Sequence, residues 1–188
     1  MNGSGRQTTE ADLVRLARNK DTAAVRAIYD SCAQYLFAVC RRYVGDPDSA
    51  ADVLQDSFVK IFSSLDKFEW RGEGSLKSWM RRIVVNEALM YLRNRRRSAG
   101  LVADEAVPDV PDEDPDVDNV PMPVLQQMIA GLPDGYRTVF NLYVFEGMSH
   151  RQIAGALGIS ENTSYSQFSR AKSLLAAKIK EYRENEQQ

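Results

Sequence analysis

The sequence predicts an all-α protein made of two small helical domains joined by an acidic tether. Three observations carry that prediction. Apolar residues recur at three- and four-residue spacing along most of the chain, with little of the alternation that marks a half-buried strand. Residues that start and stop helices stand at the ends of those periodic runs. One stretch breaks the pattern: LVADEAVPDVPDEDPDVDNVPMP holds five prolines, at 108, 111, 115, 121 and 123, and has no hydrophobic period.

The front half reads as consecutive helices. A weaker helix is expected over about 10–29. Cys32, Tyr35, Leu36, Val39, Cys40 and Tyr43 then form one apolar stripe. Gly45 is suited to end that helix, Asp46 to cap the next, and Pro47 to open it. The next helix, about 47–65, buries Ala50, Leu54, Phe58, Ile61, Phe62 and Leu65. A glycine-rich loop, Glu69–Ser75, leads to a helix from Ser75 to about Arg95. Its stripe is Leu76, Trp79, Met80, Ile83 and Val84, with Ala88 and Tyr91 further on.

The back half is expected to begin with a short helix, Pro123–Ala130, broken at Leu132-Pro133-Asp134-Gly135. A helix from Tyr136 to Glu146 follows and stops at Gly147. Ser149 and Gln152 have the spacing of a capping box. A short helix then turns at Gly158, and Ser160 caps a last helix over about 161–182. Ile153, Leu157 and Ile159 are placed to lock this helix-turn-helix together.

Net charge is −2 over 188 residues, which taken alone argues against a nucleic-acid binder. The distribution reverses that inference. Residues 11–98 carry 16 Lys and Arg against 11 Asp and Glu, a net of +5. Residues 101–120 carry 8 acids and no base, and residues 121–188 are at +1. The acidic stretch masks a basic front half. Like charges and prolines extend such a stretch, and about 20 residues reach roughly 65–70 Å at full extension. The division is therefore 10–98, a tether over 99–121, and 122–182.

Other classes find little support. No apolar run is long enough to span a membrane, so no membrane insertion is expected, and the polar start Met1–Glu10 is not a secretory leader. Two cysteines and one histidine are too few for a disulfide framework or for a zinc site of those residues alone; a reducing, cytoplasmic location is the simplest expectation. Cys32 and Cys40 fall on the apolar stripe, as core. No nucleotide-binding loop or catalytic triad is present, so neither a catalytic site nor a cofactor nor a metal is expected. His150 follows a cap residue and reads as a surface or phosphate contact.

Three constellations remain. Helix 77–97 holds seven basic residues against the single acid Glu87, with Trp79, Arg82 and Asn86 near one face and Phe68 and Trp70 just upstream. Rings beside cations suit single-stranded nucleic acid, where bases stack and phosphates pair. The helix after Gly158 presents Asn162, Thr163, Ser166, Gln167, Ser169 and Arg170, side chains suited to a major groove. Asp52, Gln55, Asp56 and Val59 fall opposite a buried stripe, a mixed face fit for a protein partner.

Four stretches together resemble one family. Asp48–Phe58 (DSAADVLQDSF) is similar to the motif by which sigma-70-type factors bind the clamp helices of core RNA polymerase. Ser75–Asn86 (SLKSWMRRIVVN) is similar to their promoter-melting and −10 helix. Leu132–Arg137 (LPDGYR) resembles the start of their C-terminal domain, and Gly147–Lys172 their −35-binding helix-turn-helix. The order and spacing agree over about residues 11–182, as in the small two-domain extracytoplasmic-function (ECF) group.

The resemblance implies a sigma-2-like bundle, a sigma-4-like helix-turn-helix, and a transcription initiation factor. It implies core-polymerase contacts from Asp52, Val53, Leu54, Gln55, Asp56, Phe58 and Val59. For the −10 element it implies Phe68, Trp70, Ser75, Lys77, Trp79, Arg82, Asn86 and Arg93. For the −35 element it implies Arg151, Asn162, Thr163, Tyr165, Ser166, Gln167, Ser169, Arg170 and Lys172. The implied partners are core RNA polymerase, promoter DNA and an anti-sigma factor, with the tether threading the polymerase. The chain departs from many relatives at Ser164-Tyr165, where valine and a base are common, and at Gln167, where arginine is. Arg170 and Lys172 are then the cations left in the part of that helix up to Lys172 that carries the resemblance. The rival reading is a stand-alone helix-turn-helix regulator that needs no polymerase.

Overall fold

The computed structural model describes residues 8–98 and 114–186, without the side chains of 96–98. Most of the acidic tether (99–113), the start of the chain, and the side chains of Arg96 and Arg97 lie outside the described residues. Among the described residues every regular element is helical. The chain divides into two compact units, one through Tyr91 and one from Leu92.

The front unit holds α1 (Glu10–Arg18), α2 (Thr22–Tyr43), α3 (Pro47–Ser63), a 3-10 turn at Leu65–Lys67 and the start of α4 (Ser75–Ser98). The helix expected over 10–29 is α1 plus the start of α2, which runs unbroken through the Cys32–Tyr43 stripe, so the break falls near Lys20 and not near Tyr29. Lys20 takes a left-handed φ of 62°, and Asp21 caps α2 by accepting from the Ala24 N–H at 2.9 Å. The physical reason is local: Asp21 offers its carboxylate to the free N–H groups of a new helix. Gly45 does not close α2; Val44 does, in an extended conformation. Asp46 caps α3 and Pro47 opens it, as the sequence predicts. The α3 helix ends at Ser63, and Leu65 belongs to the 3-10 turn.

The α2 helix packs against α1 and α3. Leu36, Val39, Cys40 and Tyr43 are fully buried, together with Ile61 of α3 and Met80 and Val84 of α4. Burial pushes the Cys40 thiol up to about 11, so it stays protonated and serves as core. Glu87, the one acid of the basic helix, is buried and paired with Lys60 at 2.5 Å, which ties α4 to α3.

The back unit holds α5 (Met122–Ala130), α6 (Asp134–Val144), α7 (His150–Leu157) and α8 (Glu161–Glu186). The α6 helix starts two residues before the expected Tyr136, because Pro133 stands at its entry and Asp134 suits a first turn. Ile129, Leu132, Tyr136, Phe140, Ala171 and Leu175 form one core cluster. Arg137 is buried within this unit. Its Nη1 donates to the carbonyls of Ala130 (3.0 Å) and Leu132 (2.9 Å), and its Nη2 to Asp134 (2.5 Å). One side chain thus closes the α5–α6 turn.

The end of the acidic stretch folds onto α8. Asp114 pairs with Lys172, and Asp116 pairs with Arg183 at 2.7 Å. Arg183 also donates to the carbonyls of Asp116 and Asp118. These contacts hold the Asp116 carboxyl below its usual range.

Candidate nucleic-acid interface

In α4 the side chains of Arg82, Asn86 and Arg93 are exposed, and that of Trp79 is half-buried. At about 100° per residue these four fall within roughly 60° of arc. One narrow stripe therefore carries two guanidinium groups, an amide and an indole. The loop before α4 sets Trp70 out in solvent, 48% exposed. Phe68 is different: it is only 4% exposed and packs on Trp79 with ring centroids 5.2 Å apart. It supports the indole from beneath and is not free to stack on a base. Lys77 lies over the Tyr35 ring at 4.0 Å, an attraction that fixes its ammonium beside α2. Ser75 is half-buried; its hydroxyl accepts from the Arg71 N–H within the loop and donates to the Glu10 carboxylate of α1.

On α3 the expected partner face divides in two. Asp52, Gln55, Asp56 and Val59 are exposed, with Val59 at 67%. Val53, Leu54 and Phe58 are buried, because the helical period turns them inward. Phe58 lies between Tyr29 and Phe62, at centroid distances of 4.6 and 5.9 Å. Those three build the surface without being on it.

The helix-turn-helix is closed by two local devices. Ser149 and Gln152 cap α7 reciprocally, and Gly158 takes a left-handed φ of 69° that only glycine adopts cheaply. Ser160 accepts from the Thr163 N–H at 3.0 Å to start α8. Ile153 is buried completely, whereas Leu157 and Ile159 are half-buried. On α8, Asn162, Tyr165, Ser166 and Arg170 are exposed, and Thr163, Ser169 and Lys172 are half-buried. Arg151 is exposed on α7. Gln167 is only 8% exposed, so it faces the fold and not a groove. Its place on the helix explains this: it sits beyond the arc shared by Asn162, Tyr165, Ser166 and Ser169. Arg170 reaches the Tyr136 hydroxyl at 3.3 Å.

His150 corrects the sequence reading. It is 7% exposed, its Nδ1 lies 2.9 Å from the Ser164 hydroxyl, and its ring sits between Tyr143 (4.8 Å) and Tyr165 (3.9 Å). It joins α6, α7 and α8. Nothing in a single sequence signals this, because the three partners are brought together only by the turn at Gly158. Burial lowers its pKa, with Glu161 opposing weakly. Folding therefore favours the neutral imidazole. Stability from this site is complete above histidine's ordinary value of about 6.5 and falls as pH drops through the lowered pKa. The far-UV melting transition that tryptophan fluorescence does not share is expected to move down between pH 7.5 and 5, and His150→Asn to flatten that slope. His150 is the one histidine of the sequence, so a slope that persists in the variant would locate the effect elsewhere.

Residues 28–98 match the family model for sigma-70 region 2, and residues 124–175 that for sigma-70 region 4. The chain belongs to the sigma-70 family, in its ECF group. It is 29% identical over 185 residues to the ECF RNA polymerase sigma-E factor of Haemophilus influenzae, covering 92% of this chain and 96% of that one. It is 29% identical to the RNA polymerase sigma-H factor of Pseudomonas aeruginosa, covering 88% and 91%. Among solved structures it is similar to the sigma factor RpoE in complex with the anti-sigma factor NepR from Bartonella quintana. That likeness has a TM-score of 0.49 and 23% identity over 82% of this chain and 96% of that one. As a sigma factor this protein directs transcription initiation by core RNA polymerase at promoter DNA. Sigma factors are initiation factors and not enzymes. Among the described residues no helix is long and apolar enough to cross a membrane.

Proposed function

We propose a division of labour among the exposed residues of this sigma factor. Its domains are 10–98 and 122–182, joined by 99–121. Asp52, Gln55, Asp56 and Val59 of α3 dock on core polymerase. The stripe of Trp79, Arg82, Asn86 and Arg93 grips the −10 element, and the Phe68–Lys77 loop, with Trp70 outermost, receives an unpaired base. Extruding a base costs a few kcal/mol, which contacts in the loop must offset. In the back unit Asn162, Tyr165, Ser166 and Ser169 meet the −35 base edges, while Arg151, Arg170 and Lys172 hold phosphates. Two weak DNA contacts on one chain reinforce each other through effective concentration. The protein acts in the cytoplasm, has no catalytic site of its own, and answers to an anti-sigma factor, the partner its group implies.

The observation that supports this reading best is the α4 stripe: exposed cations and an amide in one arc with a half-buried indole, beside the exposed Trp70. A stand-alone DNA-binding regulator has no use for the acidic face of α3. Run-off transcription decides between them. Purified core polymerase with this protein is expected to yield discrete transcripts from host promoter DNA, and core alone none. DNA binding by the protein with no such transcripts would return the reading to the stand-alone regulator.

A further inference from the structure

The α4 helix starts without a cap of its own. Gly74 stands at the N-cap, its carbonyl accepting from the Ser78 N–H at 3.1 Å, and it has no side chain to offer. The first N–H groups of a helix have no partner within it and need an acceptor from outside. That acceptor is Glu10, the first residue of α1. Its Oε2 accepts from the Gly74 N–H at 3.0 Å and its Oε1 from the Leu76 N–H at 3.2 Å. The Ser75 hydroxyl donates to the same carboxylate at 3.4 Å and accepts from the Arg71 N–H at 3.2 Å. A negative charge is also the favoured sign at a helix N-terminus.

The other end of the loop is held by the same helix. Arg18 donates from Nε to the Leu65 carbonyl at 3.2 Å and from Nη2 to the Phe68 carbonyl. Arg18 lies eight residue steps beyond Glu10, about 12 Å along one rigid axis. Between these two anchors the backbone passes through positive φ at Gly72 and Gly74, and Trp70 stands exposed. The chain spacing of both contacts is long, 47 to 66 residues, so α1 ties together parts of the domain that are distant in sequence.

We propose that Glu10 and Arg18 are positioning residues for −10 recognition. They set the entry and exit of the Phe68–Ser75 loop, and so the place where an unpaired base is received. They touch no DNA themselves. The inference rests on the reading that this loop meets the −10 strand.

The test uses full-length protein with core polymerase on a DNA pool randomised across the promoter, with the transcripts sequenced. Wild-type protein defines a −10 and a −35 preference. Glu10→Ala removes a helix cap, a factor of about five in the equilibrium that orders the start of α4, and is expected to lower transcript yield by up to that factor. It is also expected to flatten the −10 preference while leaving the −35 preference intact. Glu10→Gln keeps one acceptor oxygen and is expected to lie between. Arg18→Lys keeps the charge but not the two-point grip, and is expected to act as Glu10→Ala does. An unchanged −10 preference in Glu10→Ala, or equal flattening at both elements, overturns the proposal. Should Glu10→Ala fail to join core polymerase, Glu10→Gln decides, and a wild-type −10 preference there overturns it. Trp70→Ala separates the two levels. If it leaves the −10 preference unchanged, the reading of the loop fails. If it alters that preference while Glu10→Ala does not, only the positioning role fails.

Discussion

Arg137→Ala is expected to destabilise the back unit by about 3 kcal/mol, since a buried guanidinium with three charge-assisted contacts is lost at once. The truncation leaves the carbonyls of Ala130 and Leu132 without this donor at the one turn that joins α5 to α6. For a unit of this size the melting temperature should fall by roughly 10–20 °C. The two tryptophans, Trp70 and Trp79, both lie in the front unit. Tryptophan fluorescence therefore follows the front unit alone, and far-UV circular dichroism follows both. The expected result is a dichroism transition moved down and a fluorescence transition left in place. Movement of both would mean that the units unfold together. Arg137→Lys restores the charge but not the fork, and should recover only part of the loss.

The second large effect concerns α3. Replacing Asp52 and Gln55 together by alanine is expected to weaken binding to core polymerase at least 30-fold, the scale of a hot-spot loss. Both residues are exposed, so the fold should persist. Fluorescence anisotropy with labelled protein measures the core affinity. Binding of −35 duplex by the back unit should be unchanged, and loss of both would point to misfolding. Val53, Leu54 and Phe58 behave differently under substitution. They are core residues, so alanine there lowers stability first, by about 2–5 kcal/mol for the larger two.

These contrasts show where a sequence speaks and where it is silent. Local signals were readable: Asp46-Pro47 at α3, Ser149 with Gln152 at α7, and Gly158 at the turn each act within a few residues. The helical stripes were readable for the same reason, since a period of 3.6 is a local property. The split at Lys20 was within reach, because Asn19-Lys20-Asp21 carries turn and cap residues, but the apolar period runs on through it. Contacts made across the fold left no trace. In the sequence Glu10 only ends a polar start, Glu87 is the lone acid of a basic helix, and His150 reads as a surface group. Each is defined by a partner from another element. Gln167 and Phe68 suit DNA by their type and neighbourhood, whereas packing against the rest of the fold buries both.

The tail of the acidic stretch changes the ion atmosphere of the back unit. DNA binding gains much of its strength, and nearly all of its salt dependence, from counterions released as lysines and arginines replace them along the phosphates. Asp114 and Asp116 already occupy Lys172 and Arg183 as built-in anions. A phosphate arriving at Lys172 trades one anion for another belonging to the same chain, whose local concentration no dilution changes. Residues 121–188 thus meet DNA with fewer effective cations than their seven lysines and arginines suggest, which should weaken their hold on non-specific duplex.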